Sequence, residues 1–211
     1  MKKFLNVIFS ICFSIFIITT AINFTVSFKQ LYYYDIDKLN IPKLSHLSKE
    51  EIKLNYDYLV KYNLSKNVKE FKMPTIKSSE QGKIHFEEVR DIFQNINKIS
   101  KICLFISLIG IAISIRNKDI QILNYTSKAL ITIPIILAIP IIINFEDTFV
   151  VFHKLMFSND YWIFDPRLDP VINILPEEFF FHAGIMILGI VLAVSIILYT
   201  IYKFISKKIE Q

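Results

Sequence analysis

Four histidines, His46, His85, His153 and His182, are the side chains of this 211-residue chain best suited to move protons near neutral pH. An imidazole titrates near 6.5 and can act as general acid or general base. His46 lies in a polar, lysine-rich stretch and reads as surface. His182 opens the outer turn of an apolar run, where a solvated interfacial role suffices. His85 lies in Lys83-Ile84-His85-Phe86-Glu87-Glu88, where an amphipathic helix begins. A helix N-terminus disfavours imidazolium, whereas Glu87 or Glu88 favours it. His153 lies in Phe149-Val150-Val151-Phe152-His153-Lys154-Leu155-Met156-Phe157. In a helix, Phe149, Met156 and Phe157 would flank it on one face and partly desolvate it. On spacing alone a structural role fits each of these two histidines better than a catalytic one.

After His153 comes Ser158-Asn159-Asp160-Tyr161-Trp162-Ile163-Phe164-Asp165-Pro166-Arg167-Leu168-Asp169-Pro170. Its carboxylates invite a calcium reading, but the spacing misses the EF-hand and lacks the closing bidentate Glu. Asp-Pro pairs form turns, and Asp160 or Asp165 can pair with Arg167. No metal is assigned. The chain has no G-x-S-x-G elbow, P-loop, H-E-x-x-H or dinucleotide fingerprint. Cys12 and Cys103 fall in apolar runs with no disulfide or metal spacing, and read as packing residues.

The elements that must position these groups are membrane helices. Hydrophobic residues make up 53% of the chain, and the mean hydropathy is +0.44. A spanning helix needs ~20 apolar residues, with a range of ~17–25. Uncharged runs at Phe4–Phe28, Ala129–Phe145 and Phe179–Tyr202 reach that length. Ile102–Ile115 is short and needs a start near Ile96, with Lys98 and Lys101 snorkelling outward. The first run lacks a small-x-small cleavage site and is expected to stay as a span rather than leave as a signal peptide. The spans hold no Asp, Glu, Lys or Arg at their centres, which argues against a transporter.

Charge sets the orientation. Lys2 and Lys3, then Arg116, Lys118 and Lys128, then Lys203, Lys207 and Lys208 mark three cytoplasmic segments, with Asp119 and Glu210 as their acids. The segment Glu146–Glu178 has seven acids against Lys154 and Arg167 and suits the outside. The same distribution argues against nucleic acid as the reason for a net charge of +5. The expected layout is mainly α: a polytopic membrane protein with four transmembrane helices, both termini cytoplasmic, and an extracellular cap. Spans cover 4–28, 99–116, 129–145 and 179–203. Cap segments cover 29–98 and 146–178, a cytoplasmic turn 117–128 and a cytoplasmic tail 204–211.

Within the first cap segment, Leu31-Tyr32-Tyr33-Tyr34 reads as an interfacial anchor. Ser48-Lys49-Glu50-Glu51 is a capping box, opening a helix over about 49–62. Pro74, Ser78-Ser79 and Gly82 mark turn or short strand before a helical period resumes at Phe86. A straight helix from His85 to Ile102 would lift His85 ~25 Å above the apolar layer. A meeting with His153 near lipid therefore calls for a break, at Asn95 or Asn97, or a helix lying along the surface.

The pattern Phe149-x-x-Phe152-His153-x-x-x-Phe157-x-Asn159-Asp160-x-Trp162-x-x-Asp165-Pro166-x-x-Asp169, followed by Pro176-x-x-Phe179-Phe180, resembles the lipoprotein intramolecular transacylases. So does the shorter His85-Phe86-x-x-Val89. The resemblance extends over the whole chain in size and layout. It implies a bacterial plasma-membrane acyltransferase with four spans, an extracellular cap and an active site at the outer face. The implied substrate is a diacylglyceryl lipoprotein with a free N-terminal cysteine, together with membrane lipid. The implied reaction moves the sn-2 acyl chain to the cysteine amino group of the same molecule, giving a lyso-form lipoprotein. The family's two catalytic histidines fall on His85 and His153. Phe149, Phe152, Asn159, Asp160, Trp162, Asp165, Arg167 and Phe180 are expected to bind substrate. Neither metal nor soluble cofactor is needed for ester aminolysis, nor is nucleic acid a partner. Two other readings of the residues stay open: a non-catalytic membrane partner or assembly protein, and a lipid or lipoprotein hydrolase using the same histidines on water.

Overall fold

The computed structural model describes residues 2–209, and among these the chain is nearly all helix with no strand. Glu210, in the predicted tail, lies outside the described residues. The helices are α1 (Lys2–Ser27), α2 (Lys29–Lys38), α3 (Ile41–Ser45), α4 (Lys49–Leu64), α5 (Glu80–Arg116), α6 (Gln121–Ile143), α7 (Phe145–Met156) and α8 (Glu177–Ile209). A 3₁₀ turn covers Pro170–Asn173. Four helices, α1, α5, α6 and α8, are long and apolar enough to cross a membrane, and the protein is a multi-pass membrane protein.

The chain divides into two compact units. The membrane unit holds Met1–Phe24, Ile96–Ile142 and Ile185–Gln211; the second unit holds Thr25–Asn95 and Ile143–Gly184. In the membrane unit, Ile17, Ala21, Leu130 and Val191 form a small buried core. Hydroxyls tie its helices together: Ser10 donates to the Ile122 carbonyl at 3.1 Å and Ser195 to the Ser127 carbonyl at 2.7 Å. Small residues let the backbones approach, as is usual where lipid offers no hydrophobic drive between helices. A Cβ on Gly110 would come within 2.5 Å of the Phe9 ring.

Helix α6 begins at Gln121, inside the segment 117–128 read as a turn. Asp119 Oδ1 accepts from the Gln121 backbone N–H at 3.1 Å and satisfies one of the orphan donors at that end. The polar residues of the first turns therefore join the helix although they add nothing to the apolar run. Pro134 and Pro140 lie inside α6; neighbouring groups re-satisfy freed carbonyls in membrane helices.

The second unit has the larger core. Tyr32, Ile36, Ile52, Tyr56, Leu59, Tyr62, Phe71, Phe86, Val171, Ile174 and Phe179 are among its buried members. Fully burying one such side chain contributes ~1.5–3 kcal/mol, so this unit carries much of its own stability. The reading of Tyr32-Tyr33-Tyr34 as a membrane anchor fails for Tyr32. Its ring is fully buried, stacks on Tyr56 at 3.7 Å and donates its hydroxyl to the Ile174 carbonyl at 2.5 Å. Tyr33 donates to Asp57 at 2.6 Å, and Tyr34 alone of the three is well exposed. Helix α4 opens with the predicted Ser48–Glu51 capping box, both of its hydrogen bonds made. The stretch 65–79 resolves to bends and irregular backbone rather than strand.

Helix α5 runs unbroken through Asn95 and Asn97, so the expected break does not occur. From Lys83 to Ile109 it holds neither Gly nor Pro, and an Asn costs at most ~0.7 kcal/mol relative to Ala. Its start is tied to the loop after α7. The Asp169 carboxylate accepts from the Ser79 backbone N–H at 2.7 Å and from its hydroxyl at 2.6 Å, while Ser79 Oγ accepts from the Gly82 N–H at 3.0 Å. A Cβ at Gly82 would run into that carboxylate.

Candidate active site

Helix α5 supplies His85 and helix α7 supplies His153, both within the second unit. Helix α7 is set by Asn144, whose side chain caps the Asp147 N–H at 3.1 Å, with Glu146 and Asp147 favourable in the first turn. About two and a half helical turns after that cap, His153 meets His85, with ring centroids 6.2 Å apart. The two histidines come together from the N-terminal half of α5 and from α7, with α5 unbroken. That half is charged through Glu80, Lys83, Glu87, Glu88, Arg90 and Asp91, and lies before the apolar run of the span.

Aromatic rings enclose the pair. Phe157 sits 4.7 Å from His85 and 5.7 Å from His153, so one ring touches both imidazoles. Phe164 lies 5.4 Å from His85. Phe149 is 4.1 Å and Trp162 4.8 Å from His153. Phe180 backs Phe149 at 5.5 Å, and Phe152 meets His153 edge-on at 5.5 Å while half-exposed.

The electrostatics favour neutral imidazoles. Burial, then the neighbouring His153, pushes His85 down to about 4. Burial also lowers His153, against the hydrogen bond to Phe149 that raises it. The glutamates read from sequence as favouring imidazolium do not dominate at His85. Mutual repulsion means the pair holds at most one proton in the neutral range. His153 Nδ1 lies 2.7 Å from the Phe149 carbonyl. A carbonyl can only accept, so the neutral ring carries its proton on Nδ1 and leaves the Nε2 lone pair free.

Three buried atoms at this cluster have no hydrogen-bond partner among the described residues: His85 Nδ1, Trp162 Nε1 and Glu88 Oε2. Leaving a buried polar group unmet costs ~1–3 kcal/mol. Glu88 stands one helical turn after His85. Its other oxygen accepts from Asn159 Nδ2 at 2.8 Å, and Asn159 Oδ1 in turn accepts from the Tyr161 N–H at 3.0 Å. A cavity of about 510 Å³ opens here, lined by Glu88, Asp91, Ile92 and residues 154–158.

Not every residue expected to bind substrate joins this cluster. Asp165 and Arg167 pair with one another at 2.7 Å on the surface, and Arg167 holds Asp165 down to about 2. Asp160 is exposed, and its backbone carbonyl closes a turn with the Ile163 N–H. These three shape the loop, and among the described residues no hydrogen bond or ion pair joins them to the imidazoles. Phe157, Phe164 and Glu88 were not among the expected binding residues. The i, i+3 spacing of His85 and Glu88 was a usable signal for the last. His46 is exposed, as read. His182 is not simply solvated: its Nδ1 lies 2.9 Å from both carboxylate oxygens of the fully buried Asp35. Among the described residues no group of three or more potential metal ligands occurs.

Comparison with known proteins bears on this geometry directly. The family model described as lipoprotein intramolecular transacylase Lit matches residues 7–180. The in meso structure of the membrane integral lipoprotein intramolecular transacylase Lit from Bacillus cereus is 41% identical, with a TM-score of 0.96, covering 100% of this chain and 98% of that one. Structures of the same Bacillus cereus protein with an H85R and with an H85A mutation each match at 40% identity and a TM-score of 0.90, covering all of this chain and 94% and 96% of theirs. Among the curated proteins nothing matches. A family match over most of the length and a closely similar structure over all of it place the chain in the Lit family: it is a lipoprotein intramolecular transacylase, an acyltransferase of the membrane.

Proposed function

We propose that the chain transfers the sn-2 acyl group of a diacylglyceryl lipoprotein to the α-amino group of the N-terminal cysteine of the same molecule, with His153 as base and His85 as acid. The observation that carries this reading is the His153–Phe149 hydrogen bond, which leaves Nε2 as a lone pair beside a second, neutral imidazole.

The substrate amine has a pKa near ~7.7–8.0, so a modest base suffices. Once neutral, its nitrogen attacks the sn-2 carbonyl carbon. The C–N bond forms, and His153 Nε2 takes a proton from nitrogen. As the tetrahedral intermediate collapses, the ester C–O bond breaks and the glyceryl oxygen receives that proton through His85. A pair that holds one proton at a time is suited to this relay. Trp162 Nε1–H, buried beside His153 with no hydrogen-bond partner among the described residues, is the donor we assign to the developing oxyanion. Phe149, Phe157, Phe164 and Phe180 exclude water, which favours aminolysis over hydrolysis. Donor and acceptor share one molecule, so orientation supplies much of the rate, up to ~7–11 kcal/mol of barrier.

The charge distribution supports cytoplasmic termini and an outer-face site, with spans at 4–28, 99–116, 129–145 and 179–203 and cap segments at 29–98 and 146–178. Mass spectrometry of the N-terminal peptide, after expression in a strain making diacyl lipoproteins, tests the reading. Conversion to an N-acyl, monoacylglyceryl cysteine of unchanged mass supports transfer. Loss of one acyl chain would instead establish a hydrolase, and an unaltered peptide a non-catalytic partner.

A further inference from the structure

We propose that Glu88 is the residue that receives the α-ammonium of the substrate's N-terminal cysteine, holding the nucleophile beside the histidine pair; this rests on the acyl-transfer reading above. Glu88 follows His85 by three residues on α5, so the two side chains leave the same face of one rigid helix, with Cβ atoms ~5–6 Å apart. Asn159 fixes the carboxylate by donating to Oε1 at 2.8 Å. The second oxygen is buried and accepts nothing among the described residues, although a carboxylate has about four lone-pair sites to satisfy. No Lys or Arg forms an ion pair with Glu88 among the described residues, and the lysine nearest along the cavity wall, Lys154, is exposed.

A half-buried carboxylate with one oxygen clamped and the other unmet is matched by a cationic donor. Neutral donors gain less there, because hydrogen bonds to charged groups contribute more. The diacylglyceryl lipoprotein offers one such group at its reacting end, the terminal ammonium. The cavity lined by Glu88, Asp91, Ile92 and residues 154–158 gives that end a place beside Phe157, which touches both imidazoles. The ammonium docks, one proton leaves it to solvent, and the neutral nitrogen then follows the route already described. Glu88 takes no part in bond making. It sets which nitrogen arrives and where.

The test separates this from the histidine assignment by reading equilibrium binding instead of turnover. In a His153→Ala chain in detergent, affinity is measured for a synthetic diacylglyceryl-cysteinyl peptide and for its des-amino analogue, in which hydrogen replaces the α-amine. We expect the amine peptide to bind about 10-fold or more tightly. Adding Glu88→Gln should erase that preference while leaving the affinity for the des-amino analogue unchanged, which also shows the site still folded. A preference that survives Glu88→Gln, or one absent with Glu88 in place, overturns the proposal. So does an equal loss for both peptides, which would make Glu88 a shaping residue only. If the His153→Ala chain still turns over, the base assignment fails, while the amine preference remains readable with a non-hydrolysable sn-2 ether analogue.

Discussion

The two units treat their buried polar groups differently. In the membrane unit, hydroxyls close on carbonyls: Ser14 on Ser10, Ser107 on Cys103, Ser195 on Ser127. Such bonds stay within or between helices and ask nothing of a substrate. In the second unit, Tyr62 Oη, Asn63 Oδ1 and Ser78 Oγ have no partner among the described residues, and neither do an imidazole nitrogen, an indole N–H and a carboxylate oxygen gathered in one aromatic cluster. A fold that tolerates ~1–3 kcal/mol for each such atom gives up stability where reacting groups must be met. The membrane unit can therefore be altered at a cost in folding alone, whereas the second unit should lose chemistry before it loses structure.

The largest effect expected from that contrast is at the histidines. His153→Ala and His85→Ala should each lower conversion by ~10²–10⁴-fold, the range for a lost general acid or base, with insertion and yield preserved. Near-wild-type conversion in both would sink the site. Trp162→Phe comes next. It keeps an aromatic wall and deletes the N–H, so kcat should fall ~10²-fold or more while KM changes little. A raised KM at constant kcat would make Trp162 a wall only.

Stability against pH sharpens the same contrast. His85 has its pKa lowered to about 4 in the folded chain, against an ordinary value of 6.5. Above 6.5 both states are neutral and pH has no effect through this group. Below it the unfolded chain takes up a proton that the folded chain refuses, so stability is lost as pH falls from 6.5 towards 4. The total is of order 3 kcal/mol. His85→Leu should flatten the fall of Tm over that window in a detergent melt. An unchanged slope would mean that His85 does not set it. Gly110→Leu, by contrast, forces a side chain against Phe9 within the membrane unit. It should lower Tm by an amount typical of overpacking, ~1–3 kcal/mol, with kcat per folded molecule unaltered.

Sequence carried the membrane unit well, because a span is one long signal summed over many residues. It pointed to His85 and His153 only through the family resemblance of a spaced aromatic motif, since spacing alone fitted a structural role better; the fold brings the two rings within 6.2 Å. It failed where a role depends on a partner far along the chain. Tyr32 looked like a belt residue until Tyr56, Ile174 and Phe179 enclosed it. His182 looked solvated until Asp35 came to meet it from 147 residues away. Glu88 is ordinary on an amphipathic face until Asn159 turns one oxygen inward. Asp165, prominent in the motif, pairs its charge with the neighbouring Arg167. Nor could local propensity exclude a kink at Asn95, since only the packing of Phe86 and its neighbours shows how firmly the N-terminal half of α5 is held.

The smallest effect probes the membrane unit at a buried hydrogen bond between two of its helices. Ser195 is fully buried and donates to the Ser127 carbonyl at 2.7 Å, joining α8 to α6. Between membrane helices such bonds average ~0.6 kcal/mol, because in the unfolded state within lipid both groups find other partners. The Ser127 carbonyl keeps a place in its own helix ladder, so Ser195→Ala removes one bond and orphans no donor. Tm should drop by a degree or two and conversion should be unchanged. A loss of conversion comparable to that of Trp162→Phe would break the comparison, since chemistry would then depend on how the membrane helices are held together.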